Sequence, residues 1–145
     1  MNEVIDCFFN GNNSSETNDS FKDSRRSKIA IIEGHLSHLC NIDTNDINKD
    51  ISVDFKVLVL RLNPNILQNR LQSRNYSEKK IHENLEAEAL GVCSVEAYEN
   101  HGENVNEIDT SDLDFQEVLT IVCDVLFDKK HFPVGNVDFL QWILD

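Results

Sequence analysis

Residues 57–62 form an apolar run in which Val57, Leu58, Val59 and Leu60 show no alternation. A strand half open to water alternates apolar and polar side chains, whereas one covered on both faces does not. The run therefore predicts a buried strand of a parallel sheet. The chain must then leave the sheet abruptly. Asn63 is a good helix N-cap, and Pro64 suits a first helical turn, where its missing N–H would have had no intrahelical partner. A helix over 64–74 follows, with Leu67 and Leu71 on the core face and Arg70 and Arg74, also four apart, on another.

The next segment concentrates positive charge in an acidic chain. With 13 Lys+Arg against 26 Asp+Glu the formal net charge is -13, yet Arg70, Arg74, Lys79 and Lys80 fall within eleven residues. Two readings stay open: a site for an anion, or a solvated helix face with local pairs such as Lys79 to Glu83. Ser77 is placed to cap a long helix to residue 98, without a capping box because Lys80 stands at its third position. Ile81, Leu85, Ala89, Val92 and Cys93 share its apolar stripe. Tyr76, at the bend, is a packing anchor or a nucleotide neighbour.

Other elements are shorter. Val4, Ile5, Phe8 and Phe9 suit one short amphipathic helix, and 10–20 is a polar tract without periodicity. Residues 29–33 read as a second buried strand ending in Glu33, and an acidic residue at the carboxyl end of a parallel strand is where open α/β sheets place ligand chemistry. A metal pair of His35 and His38 would need further ligands, and none is evident. Residues 40–52 form a polar connection. A third strand is expected over 104–108, then a helix opened by Asp114 with Val118, Ile121, Val122, Val125 and Leu126 on one face. Residues 137–144 close the chain, docked by Phe139 and Trp142.

At 145 residues and 40% hydrophobic there is one domain at most, with a core of ordinary size. No stretch approaches the ~20 apolar residues of a membrane span, and no secretion signal opens the chain, so a cytoplasmic protein with no membrane partner is expected. Cys7, Cys40, Cys93 and Cys123 lack Cys-x-x-Cys spacing and are expected as reduced thiols. The sequence pI near 4.6 argues against broad nucleic-acid binding.

The order Arg-Asn-Tyr-Ser-Glu-Lys-Lys-Ile, followed by Glu-Asn-Leu-Glu-Ala-Glu, resembles the lid of the small archaeal-type adenylate kinases, the isoenzyme-six type, whose eukaryotic members are linked to ribosome maturation. The segments IAIIEGHLSHL at 29–39 and VDFLQWIL at 137–144 are similar to that family too. The resemblance implies a three-layer, P-loop-kinase-like α/β fold: a parallel sheet with flanking helices, forming one nucleotide-kinase-like domain over 1–145. Within it, 1–28 would be a remnant of the monophosphate-binding segment and 73–83 the lid. It implies catalytic roles for Glu33 and His35, with Glu33 near magnesium through water and no direct protein metal ligand. Asn2 would bind the monophosphate, Arg74 the ATP phosphates, and Arg74, Tyr76, Lys79 and Lys80 would form the lid. The activity implied is ATP + AMP to 2 ADP, with Mg2+ and ATP as cofactors.

One family element is missing from the sequence. None of Gly11, Gly34, Gly91, Gly102 and Gly135 is followed by lysine, so G-x-x-x-x-G-K-[ST] does not occur. The resemblance places that loop upstream of Met1, and its strand between the counterparts of 29–33 and 57–62. The sheet is therefore expected to be incomplete: the two strands pair directly, a second chain fills the gap, or an edge stays exposed. Three functional readings remain: a phosphotransferase incomplete or inactive as the chain stands, a non-catalytic nucleotide-binding or ribosome-maturation protein partnering a ribosomal protein or pre-ribosome, or a truncated product without independent function.

Overall fold

The computed structural model describes the backbone of residues 4–5, together with residues 30–40 and 54–144. The chain divides into two compact units, Met1–Ser37 and His38–Asp145. In the smaller, β1 (Val4–Ile5) pairs antiparallel with β2 (Ile31–Ile32), Val4 opposite Ile32 and Ile5 opposite Ile31. This corrects two expectations. Val4 and Ile5 are extended rather than helical, Phe8 and Phe9 lying outside the described residues. Of the buried parallel strand expected over 29–33, the described residues show two exposed isoleucines, Ile31 and Ile32, whose backbone groups are met by an antiparallel rather than a parallel neighbour.

The larger unit is built on β3 (Val57–Arg61) and β4 (Val105–Asp109), parallel and in register from Val57 opposite Val105 to Arg61 opposite Asp109. The crossover between them runs through α1 (Pro64–Gln72), α2 (Glu78–Ala89) and α3 (Val92–His101). After β4 come α4 (Phe115–Leu126) and the short α5 (Gln141–Leu144). The result is an α/β unit with a small parallel sheet and flanking helices. Among the described residues β3 pairs only with β4.

The helix starts follow the local chemistry. Asn63 Oδ1 accepts from the Asn65 amide at 2.9 Å, with Pro64 as the first helical residue. The Ser77 hydroxyl accepts from the Lys80 amide at 3.3 Å. Asp114 and Glu117 form a reciprocal capping box, each side chain accepting from the other's backbone N–H at 2.9 and 2.8 Å.

Two apolar clusters hold this unit. Val59, Ala97 and Val105 pack α3 on one face of the sheet, with Val57 and Val134 at the margin. Leu71, Ile81 and Leu85 join α1 to α2, with Leu67 and Trp142 against them. The double coverage expected of residues 57–62 is only half present. Val59 is 9% exposed, but Leu60, pointing to the other face, is 51% exposed.

The long helix expected from Ser77 to residue 98 is broken. α2 ends at Ala89, Gly91 takes φ 65°, and α3 restarts at Val92. The reason is a close approach: a Cβ on Gly91 would lie 3.1 Å from Arg61 Nη1. Only glycine offers both the left-handed backbone and the missing side chain that this contact requires.

Candidate functional site

The basic turn joins the carboxyl end of α1 to the amino end of α2. Arg70 lies in the last turn of α1, and Ser73 follows as its C-cap. The Arg74 amide then bonds to Leu71 O at 3.0 Å and the Asn75 amide to Gln72 O at 3.3 Å. Asn75 adopts φ 55°, a left-handed conformation that asparagine tolerates better than most side chains, and this reverses the chain. Ser77 starts α2, so the turn lies at the positive end of that helix's dipole. Residues 72–80 are all exposed.

Cations at this turn are unequally engaged. Lys79 Nζ lies 3.6 Å from Glu83 Oε1, the i,i+4 pair anticipated from spacing, between two well-exposed groups. Lys80 Nζ sits 4.3 Å from the centroid of the Tyr76 ring. Tyr76 thus works as a platform for a lysine rather than as an anchor in the core, being 38% exposed. Among the described residues the guanidinium groups of Arg70 and Arg74 make no ion pair. Two uncommitted guanidinium groups, a lysine on an aromatic ring and a helix amino end form a donor set suited to a phosphorylated anion.

The carboxyl ends of the two parallel strands are tied together beside α1. The backbone N–H and hydroxyl of Thr110 both donate to Arg61 O, at 2.9 and 2.8 Å. The Asn63 amide donates to the Ser111 hydroxyl at 2.8 Å, and that hydroxyl donates to Asp109 Oδ1 at 2.5 Å. This is the sheet edge at which open α/β folds bind ligands. Asp112 is exposed on the same turn.

Pattern reading missed a buried polar network beneath this edge. Arg61 is 2% exposed, and its Nε donates to Glu88 Oε1 at 2.7 Å and its Nη2 to Glu88 O at 2.5 Å. Its Nη1 bonds to Glu107 Oε1 and reaches Ser94 Oγ at 3.5 Å, while the Phe139 ring lies 5.4 Å from Cζ. Glu107, 3% exposed, accepts on its other oxygen from the Gly135 amide at 2.8 Å. Burial pushes the Glu107 carboxyl up, but hydrogen bonds from Ser94, Gly135 and Arg61 outweigh it and hold the carboxyl below its ordinary value. Burial likewise opposes the Arg61 charge, and the bonds to Glu88 and Glu107 more than offset it. The signal in the sequence was Glu107 in the middle of an otherwise strand-like run, a charge that burial demands be paired. With all three guanidinium nitrogens bonded within the protein and the side chain buried, Arg61 braces the larger unit rather than facing a ligand.

Glu33 and His35 are exposed in the smaller unit, where Ser37 closes a turn on Gly34 O through its hydroxyl at 2.7 Å. Asn2 lies outside the described residues. His38 does not stand open as a metal ligand, because its Nε2 is 2.9 Å from Glu96 Oε2. Among the described residues no cluster of His, Cys, Asp or Glu is placed to hold a metal ion. A magnesium ion here would therefore rely on phosphate oxygens and water for most of its ligands, as this ion commonly does. No helix among the described residues is long and apolar enough to cross a membrane.

Comparison with known proteins bears on the family of the chain. The family model for an AAA domain matches residues 1–91 of the 145. A "Putative adenylate kinase" of Methanothermobacter thermautotrophicus is 47% identical over 116 residues, which is 80% of this chain and 61% of that protein. Proteins of the same name from Archaeoglobus fulgidus and Methanococcus maripaludis are 40% identical over 119 residues and 38% over 112, covering 79% and 77% of this chain and 60% and 55% of their own lengths. The chain thus spans less than two thirds of the length of these curated relatives. The match, together with a parallel sheet flanked by helices, places the fold in the P-loop-kinase-like class. The chain belongs to the AAA-domain family and is adenylate-kinase-like.

Proposed function

We propose that this chain carries the lid and the nucleotide-facing sheet edge of a cytoplasmic phosphotransferase that converts ATP and AMP to two ADP, using magnesium with ATP. The single observation that carries the reading is the exposed turn at 73–80, where Arg74, beside the amino end of α2, has no ion pair among the described residues. A guanidinium in that position is matched to the phosphate oxygens of ATP, and Lys79 and Lys80 add charge that draws a polyphosphate toward it. Glu33 and His35 are assigned to the magnesium and phosphoryl region, Asn2 to the monophosphate, and Tyr76 to holding Lys80 in place.

Phosphoryl transfer is mostly positioning and electrostatic stabilisation, and the largest share comes from a loop whose amides cradle the phosphates. That loop motif does not occur in this sequence. We therefore expect the chain by itself to bind Mg-ATP without turnover. A partner segment supplying the loop and its strand would lie beside β3, which among the described residues pairs only with β4. ADP formation from Mg-ATP and AMP, followed for the chain and for Arg74→Ala, tests this. The expected result is no ADP above buffer for either. ADP formed by the wild-type chain and lost in Arg74→Ala would place catalysis in these residues and overturn the incomplete-enzyme reading.

A further inference from the structure

The basic turn has no buried side chain of its own. The last buried residue before it is Leu71 and the first after it is Ile81, and both belong to the cluster that joins α1 to α2. Of the partly buried hydrophobic residues packed against the cluster, Leu67 belongs to the hairpin and Trp142 comes from outside it. Its Nε1–H donates to Asn65 Oδ1 at 3.2 Å, at the start of α1, and its ring lies 6.2 Å from the His82 ring on α2. The indole therefore touches both helices of the hairpin. Its apolar neighbours Leu140, Ile143 and Leu144 are 49%, 42% and 77% exposed.

We propose that Trp142 is a positioning residue for the basic turn: packed against the Leu71–Ile81–Leu85 cluster, it holds together the two helices that flank the turn bearing Arg74 and Lys80. Arg74 is three residues beyond Leu71, and Lys80 immediately precedes Ile81. Loosening the Leu71–Ile81 contact thus changes the spacing of the two cations directly. A rigid pair of cations binds a polyphosphate more tightly than a mobile pair, because the ordering cost is met before binding. That this spacing serves a nucleotide rests on the reading above. The mechanical claim does not.

Hydrogen exchange in the full chain tests the mechanical claim without ligand. In Trp142→Ala the amides of Arg74, Asn75 and Ile81 should exchange on the order of tenfold faster, as expected for local opening, while the Glu107 amide, bonded to Phe132 O at 2.8 Å, keeps its protection. Trp142→Phe, which keeps an aromatic apolar contact of smaller area and loses the indole N–H, should restore most of the protection. Unchanged exchange at 74–81, or equal acceleration at Glu107, would overturn the proposal. Titration with Mg-ATP is the second arm, with a weaker dissociation constant expected in Trp142→Ala and recovery in Trp142→Phe. Unaltered affinity in Trp142→Ala would overturn the positioning role. Failure of the wild-type chain to bind Mg-ATP would instead remove the nucleotide reading, and the exchange result would still decide on Trp142. The wild-type protein offers its own readout, because Trp142 is the sole tryptophan and its emission should shift on adding Mg-ATP.

Discussion

Arg61 is the residue on which the larger unit closes. It reaches β4 through Glu107, the α2–α3 junction through Glu88 and Ser94, and residue 139 through the Phe139 ring. Removing one partner of a buried charge network leaves the others unpaired, so Arg61→Met should cost about 3–5 kcal/mol, read from the urea midpoint. Adding Glu107→Gln to Arg61→Met should return part of that loss, because it removes one of the orphaned charges. Glu107 also makes a pH prediction. Its folded-state pKa lies below its unfolded value, so its contribution is full above the unfolded pKa and is lost as pH falls through the folded one. Acid unfolding should accordingly be shallower in Glu107→Gln than in the wild type. Stability that fell equally with acid in both proteins would count against this assignment. None of this was visible in periodicity, because the partners lie 27 and 46 residues from Arg61 in the chain.

Elements show what local sequence can specify and where it stops. The capping residues Asn63, Ser77 and Asp114 start their helices as their chemistry requires, and Pro64 stands at the first helical position. Asp114→Ala should cost about 1 kcal/mol through loss of the capping box, measured as a fall in melting temperature. The helix break at Gly91 was not legible, since the apolar stripe continues through it as though the helix did. Its cause is non-local, the Arg61 guanidinium behind the glycine. Gly91→Ala meets both a positive φ and that contact and should destabilise by roughly 1–3 kcal/mol. The basic turn gives a cleaner contrast at Asn75, also at positive φ. Asn75→Gly should be tolerated, while Asn75→Val, β-branched, should loosen the turn and weaken phosphate binding more than it lowers the melting temperature. Strand 57–61 and the direction of its exit were legible from residues 57–64 alone. The two-residue β2 was not, because its pairing is set by a segment 25 residues away or more.

At the scale of the molecule, a chain with net charge -13 sets Arg70, Arg74, Lys79 and Lys80 around one exposed turn, on an α/β unit whose relatives carry the name "Putative adenylate kinase". The charge balance disfavours a nucleic-acid surface and leaves room for a local phosphate site. That Arg74, Lys79 and Lys80 share one exposed basic turn was legible from their spacing, and the order of the residues there is what the proposed lid role rests on. How rigidly they are held was not, because Trp142 approaches from the far end of the chain. The most direct test is thermal unfolding of the purified chain, alone and with saturating Mg-ATP, alongside Arg74→Ala. A ligand that prefers the folded state at about 100 times its dissociation constant adds roughly 2.7 kcal/mol, so a cooperative melt should rise clearly with Mg-ATP and the rise should vanish in Arg74→Ala. A cooperative melt indifferent to Mg-ATP, or a rise that persists in Arg74→Ala, would contradict a nucleotide site at this turn.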